Sequence, residues 1–126
     1  MGGMTRDQFY YLKDNNFIET LQKYNSVLIG ISAGAINFAI QSLSLKEREN
    51  EKTIVYNGIG LTDKTIYPHF NINDTKILDE LKEFSKELVV YGICENSAII
   101  EKKNELKIIG DVYRINKQEI IKIKEL

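Results

Sequence analysis

The sequence predicts an α/β fold, and three observations carry that expectation. The apolar, β-competent run Ser26-Val27-Leu28-Ile29 leads through Gly30-Ile31-Ser32-Ala33-Gly34 into a stretch of small residues, the pattern of a strand turning sharply into a helix. Helical spacing of apolar residues marks two further segments, one after Thr5 and one after Asp74. Beyond Leu88 the texture changes to short β-rich runs separated by turn residues. At 126 residues the chain reads as a single domain, 1–126, long enough to bury a core.

Taken in order, Thr5 is placed to N-cap a first helix, with Gln8 completing a capping box. Phe9, Leu12, Phe17, Ile18 and Leu21 extend that helix to about Tyr24, with a break expected near Asp14-Asn15-Asn16. Ser26–Ile31 is expected as an interior parallel strand, followed by a helix from Ala33 to about Ser44 and an exposed charged loop over Lys46–Lys52. Thr53–Tyr56 reads as a short strand and Asn57-Gly58-Ile59-Gly60 as a turn. Asn73 or Asp74 caps a helix to Lys86 that presents Ile77, Leu78, Leu81 and Phe84 on one face. Leu88–Gly92 is an apolar β run, and Ser97–Glu101 with Leu106–Ile109 forms a hairpin around Lys102–Glu105. Val112–Ile115 continues the sheet, and Ile120–Ile123 alternates as an edge strand whose outward lysines discourage further pairing.

Composition narrows the function. With 43% hydrophobic and 28% charged residues and a net charge of -1, nothing points to nucleic acid or an anionic membrane as partner. No stretch reaches the ~18 apolar residues of a membrane span, and the N-terminus lacks the layout of a secretory signal. Met1-Gly2 does not begin a myristoylation site, because Arg6 stands where Ser or Thr is wanted. The single cysteine, Cys94, excludes an internal disulfide and reads as a buried small hydrophobe. These features predict a cytoplasmic protein that needs no cofactor and no metal ion.

Two motifs carry chemistry. The G-x-S-x-G at Gly30–Gly34 suits a nucleophile elbow, where glycines on both flanks let the backbone turn tightly and Ser32 present its hydroxyl at a helix N-terminus. Without chemistry, the same residues would serve only close packing of strand on helix. Tyr67-Pro68-His69-Phe70 holds the only histidine and the only proline of the chain. Histidine supplies a base near neutral pH, and Pro68 stiffens the approach to it. The bland counterpart is a histidine of the surface or core without a reaction to serve. The Ala33 N–H, directly after the serine, is the natural oxyanion donor. Asn37, one turn into the helix, is expected to satisfy backbone rather than touch a substrate.

At these residues the chain resembles peptidase family S51, which includes aspartyl dipeptidases and cyanophycinase. Gly30–Ala35 resembles the family's nucleophile motif, and Gly58-Ile59-Gly60-Leu61 through Ile66–Asn71 its histidine segment. Tyr91–Ala98 resembles the segment whose glutamate lies by the histidine, and Gly2-Gly3-Met4-Thr5 is similar to its glycine-rich oxyanion turn. The resemblance implies a parallel-sheet three-layer sandwich of the class I glutamine amidotransferase-like type, here truncated to the family's C-terminal half and ending in a β-hairpin. It implies a serine-type peptidase in which Ser32 is the nucleophile, His69 the base and Glu95 the orienting acid, with Glu47 as the alternative acid. Gly3 then joins Ala33 in the oxyanion hole. Between Phe70 and Lys82 there is no arginine, the residue with which aspartyl dipeptidases hold their substrate's aspartate; Lys76 lacks the guanidinium fork. Short peptides without strict aspartyl preference are therefore the expected substrates. A sheet missing half its strands leaves an apolar edge to cover, which predicts a homo-oligomer. The alternative function is an inactive S51-like remnant serving as a binding module.

Overall fold

The computed structural model describes residues 4–103 and 105–124. The chain divides into two compact units, Met1–Ile66 and Tyr67–Leu126. Among the described residues, three helices precede the first strands and one more lies between the third strand and the fourth; antiparallel pairs occur beside a parallel bridge, so the protein is of a mixed α/β kind.

The first unit opens with α1 (Thr5–Asp14) and α2 (Phe17–Lys23), broken where Asn16 takes the left-handed conformation at φ 60°. That break falls where the run of polar residues predicts it, since asparagine tolerates αL better than most side chains. The capping box does not form. Met4 is the N-cap, and the Glu47 carboxylate does its work instead, accepting from the Thr5 N–H at 3.0 Å and from the Thr5 hydroxyl at 2.5 Å. A carboxylate there suits the positive end of the helix. The Lys46–Lys52 stretch is a loop, as expected, and Arg6 anchors it by donating to the carbonyls of Ser44 and Lys52.

Two expectations fail in this unit. Ser26–Ile31 forms no strand, and Val27, Ile29 and Ile31 stand 78%, 77% and 61% exposed. A strand persists only where neighbours take its N–H and C=O groups, and none of the described strands runs beside this segment. The following helix, α3, spans only Ala33–Asn37. Its continuation is pre-empted by tertiary bonds: the N–H groups of Ile59, Leu61 and Gly60 donate to the carbonyls of Asn37, Phe38 and Ala39 at 2.7, 2.7 and 3.2 Å. Ser42 caps the helix from outside, its hydroxyl donating to the Ile36 carbonyl at 2.7 Å. Residues expected to be helical instead make β1 (Gln41–Ser44), antiparallel to β2 (Ile54–Asn57), and a parallel bridge joins Ala39 to Thr62.

Asn37 holds this unit together. Fully buried, it donates from Nδ2 to the Thr5 carbonyl at 3.0 Å and to Gln8 Oε1 at 3.1 Å, while its Oδ1 accepts from the Tyr56 hydroxyl at 2.6 Å. One amide thus ties α1, α3 and β2. Phe9 packs on Tyr56 with ring centres 5.0 Å apart, and Leu43 and Ile59 complete the apolar core.

The second unit follows the sequence closely. β3 (Thr65–Pro68) runs along the chain into it, and β3, β4 (Val90–Ile93), β7 (Val112–Asn116) and β8 (Glu119–Ile123) form one sheet in that order. β4–β7 and β7–β8 are antiparallel, so β8 is an edge strand as expected. β5 (Ala98–Lys102) and β6 (Glu105–Ile109) make the predicted hairpin. α4 (Thr75–Phe84) starts at Asp74, whose carboxylate accepts from the Ile77 N–H at 3.2 Å. Leu81, Val90, Val112 and Ile115 are the buried centre.

Candidate active site

Ser32 lies between Ile31 and the first residue of α3 with φ 54° and ψ -114°. A side chain rarely adopts such a backbone, and holding one there costs about 1–3 kcal/mol unless surroundings enforce it. The enforcement is visible. Gly30 passes so close to α3 that a Cβ at that position would sit 2.9 Å from the Ala35 nitrogen and from the Gly34 carbonyl. Two bonds fasten the turn, from the Gly34 N–H to the Ile31 carbonyl at 3.0 Å and from the Ile36 N–H to the Ser32 carbonyl at 3.2 Å. Ala33 is buried at the first position of α3, where the N–H points away from the helix's own acceptors. The tight turn into a helix at Ser32 is what the pentapeptide predicts, although the helix is shorter than expected and the strand leading into it is not formed. Gly3, the second expected oxyanion donor, lies outside the described residues.

In the second unit His69 and Glu95 come together. His69 follows Pro68 at the end of β3 with φ 55°, and Glu95 lies two residues past β4. The His69 Nδ1 and Glu95 Oε1 atoms are 2.5 Å apart. A carboxylate there suits a proton on Nδ1, the tautomer in which Nε2 is the ring's acceptor nitrogen. Both side chains are open to solvent, at 60% and 72% exposure.

Neighbours that the sequence reading assigned no role hold this pair. Phe70, buried directly after His69, donates its N–H to the Ile93 carbonyl at 3.0 Å. Its ring lies over Gly92, where a Cβ would come within 2.6 Å of it, and packs against Tyr113 at 5.4 Å between ring centres. A glycine inside a strand is the available signal for such a close approach. The Glu95 loop is pinned by the Cys94 N–H on the Asp111 carbonyl at 3.1 Å and by the Ser97 hydroxyl on the Glu95 carbonyl at 3.2 Å. Cys94 itself is half-buried, and burial together with the Asp111 carboxylate pushes its thiol pKa up, away from thiolate chemistry.

Glu47, the alternative acid, is engaged at the N-terminus of α1 through Thr5. Asn37 is a structural hub rather than a partner for local backbone, since its acceptor at Thr5 lies on another helix. Burial raises the pKa of the Tyr56 phenol bonded to it far above the ordinary range, so that hydroxyl stays a donor. Among the described residues no group of three or more His, Cys, Asp and Glu side chains is arranged to hold a metal ion, and no helix is long and apolar enough to cross a membrane.

A strained serine at a one-turn helix and a histidine oriented by a carboxylate are parts of serine-hydrolase chemistry. The sequence model of peptidase family S51 matches residues 1–109, and the chain belongs to that family. A search of curated proteins finds no match to it.

Proposed function

We propose that the protein is a serine-type peptidase acting on short peptides, with Ser32 as nucleophile, His69 as general base and Glu95 as the acid that orients it. The observation that carries this reading is the His69–Glu95 pair, which favours the imidazole tautomer with Nε2 as proton acceptor. The strained backbone of Ser32 supports it, because a turn with no task for a side chain would place glycine there.

In this reaction the Ser32 hydroxyl adds to the peptide carbonyl carbon while His69 Nε2 takes its proton. The Ala33 N–H, with Gly3 as its companion, stabilises the oxyanion. His69 returns the proton to the departing amine, and water repeats the sequence to release the acid. Glu95 stays ionised throughout and stabilises the imidazolium. Glu95 is preferred to Glu47 because Glu47 is already bonded to Thr5.

The proposed setting is a sandwich of the class I glutamine amidotransferase-like type, working in the cytoplasm as a homo-oligomer. The exposed side chains of Val27, Ile29 and Ile31 support self-association, since a second copy would cover them. The same open segment also favours the rival reading, an inactive remnant that binds without turning over. A serine-directed fluorophosphonate decides between them. The peptidase is expected to be labelled at Ser32, and His69→Ala should abolish labelling. Wild-type protein that is folded yet unlabelled, and inactive on a panel of short peptides, would defeat the catalytic reading.

A further inference from the structure

A second polar site lies at the end of the β7–β8 hairpin, beyond the residues that match the family. Arg114 sits on β7 between its register partners Tyr91 on β4 and Ile121 on β8, which flank its stem. Two residues further along the same face, Asn116 and Glu119 are themselves register partners. These side chains, with Lys117, line a cavity of about 160 Å³. Lys117 and Gln118 make the turn with φ 48° and 67°. That turn is bolted to buried Ser85, whose carbonyl accepts from the Lys117 N–H at 2.8 Å and whose hydroxyl accepts from the Gln118 N–H at 2.9 Å. The site is therefore rigid.

Its charges are unspent. The Arg114 Nε is shielded from solvent and has no hydrogen-bond partner among the described residues. A guanidinium never loses its proton, so this donor stays desolvated and unmatched. Glu119 lines the same cavity, yet among the described residues it forms no ion pair with Arg114 or Lys117. Elsewhere in this unit nearby opposite charges do meet, as in Lys122–Asp111 at 2.9 Å and Lys86–Glu83 at 2.6 Å.

The geometry points to a binding site for a small zwitterion, a free α-amino acid. Its carboxylate is held by Arg114, which offers the planar donors a carboxylate fits, and its ammonium is held by Glu119. The Asn116 amide takes a remaining donor or acceptor, and exposed Lys117 leaves the cavity net positive on behalf of the carboxylate. The volume suits a ligand of that size, since one water occupies about 30 Å³ of liquid. An inorganic oxyanion would meet the repulsion of Glu119, and a simple amine that of Arg114. This inference does not depend on the peptidase reading, although a peptidase releases ligands of this class.

The test is a titration of the protein with glycine, followed through the Arg114 side-chain Nε–H signal in NMR, beside parallel titrations with acetate and inorganic phosphate. Glycine should shift that signal saturably at millimolar concentration and bind at least several-fold tighter than acetate or phosphate. Arg114→Met should remove glycine binding, and Glu119→Gln, at an exposed position, should lower it to the level of acetate. Acetate or phosphate binding as tightly as glycine overturns the zwitterion. So does glycine binding that survives both substitutions, or a signal unmoved by all three ligands.

Discussion

Val27–Ile31 and Ile120–Ile123 are built from the same kind of residue, yet only one of them is a strand. β8 pairs with β7 over five register positions, from Val112↔Ile123 to Asn116↔Glu119, and buries Ile123. Val27, Ile29 and Ile31 hold their side chains in solvent. The difference lies in where the partner comes from. A hairpin delivers its antiparallel neighbour across a two-residue turn, whereas a parallel strand waits for a neighbour far along the chain or on another chain. The turn after the open segment survives without a sheet because Gly30 and α3 interlock directly. The backbone geometry of Ser32 is thus a local property of the turn and α3, while the apolar run before it depends on what lies alongside.

The largest effect should come from separating the task of Ser32 from its strain. Ser32→Ala is expected to lower peptide turnover by about 10⁴- to 10⁶-fold, with His69→Ala nearly as severe and the double variant hardly worse, since the members act as a unit. Ser32→Gly should lose the same activity while raising stability by about 1 kcal/mol, because glycine occupies φ 54° without strain. Denaturant unfolding followed by circular dichroism reads the second half of this prediction. A Ser32→Gly protein no more stable than wild type would mean that the turn stores no strain.

Next in size is Asn37→Leu. Removing the amide leaves the Thr5 carbonyl and the Tyr56 hydroxyl without a partner inside the first unit, for an expected loss of about 3 kcal/mol. The loss should be confined: amide NMR signals of α1, α3 and β2 should move, and those of β7 and β8 should stay.

Ile29→Lys probes the open segment. If a second copy covers Val27–Ile31, a charge at its centre should weaken self-association about thirtyfold, the equivalent of ~2 kcal/mol for one buried isoleucine. Analytical ultracentrifugation of both proteins measures it. A wild-type protein already monomeric at micromolar concentration contradicts the assembly.

How far the sequence could be read follows the same division. The break at Asn16, the Asp74 cap, the β5–β6 hairpin and the edge strand β8 depend on residues a few positions apart, and their signals were present. Ser32 stood out by its G-x-S-x-G setting, His69 as the one histidine of the chain and Glu95 by the family resemblance, and His69 does meet Glu95. The expected helix to Ser44 was out of reach, since its end is dictated by N–H groups from residues 59–61. The interior strand failed for the opposite reason, a strong local preference without, among the described residues, a strand alongside to fulfil it. Arg114 carried no motif at all; its isolation becomes visible only when the register places Tyr91 and Ile121 beside it.

The smallest stability effect, set against turnover, discriminates between the two carboxylates. Glu47 accepts from the N–H and hydroxyl of Thr5 at the positive end of α1, so its contribution is that of a helix cap supplied from a distant loop. Glu47→Gln keeps an acceptor oxygen but removes the charge, and should reduce stability by about 1 kcal/mol or less. Peptide turnover at saturating substrate should be unchanged. Glu95→Gln is the mirror image: its carboxylate is exposed, so stability should hardly move, whereas the amide can donate to Nδ1 and trap the wrong imidazole tautomer. Turnover should then fall by about 10⁴-fold, the penalty for a misdirected histidine. Thermal unfolding and steady-state kinetics on the two variants give four numbers, and the pairing is crossed only if one acid caps a helix and the other serves the base. Should Glu47→Gln lower turnover and Glu95→Gln leave it intact, the acid of the site is Glu47, and the contact at His69 is a surface pair of no catalytic consequence.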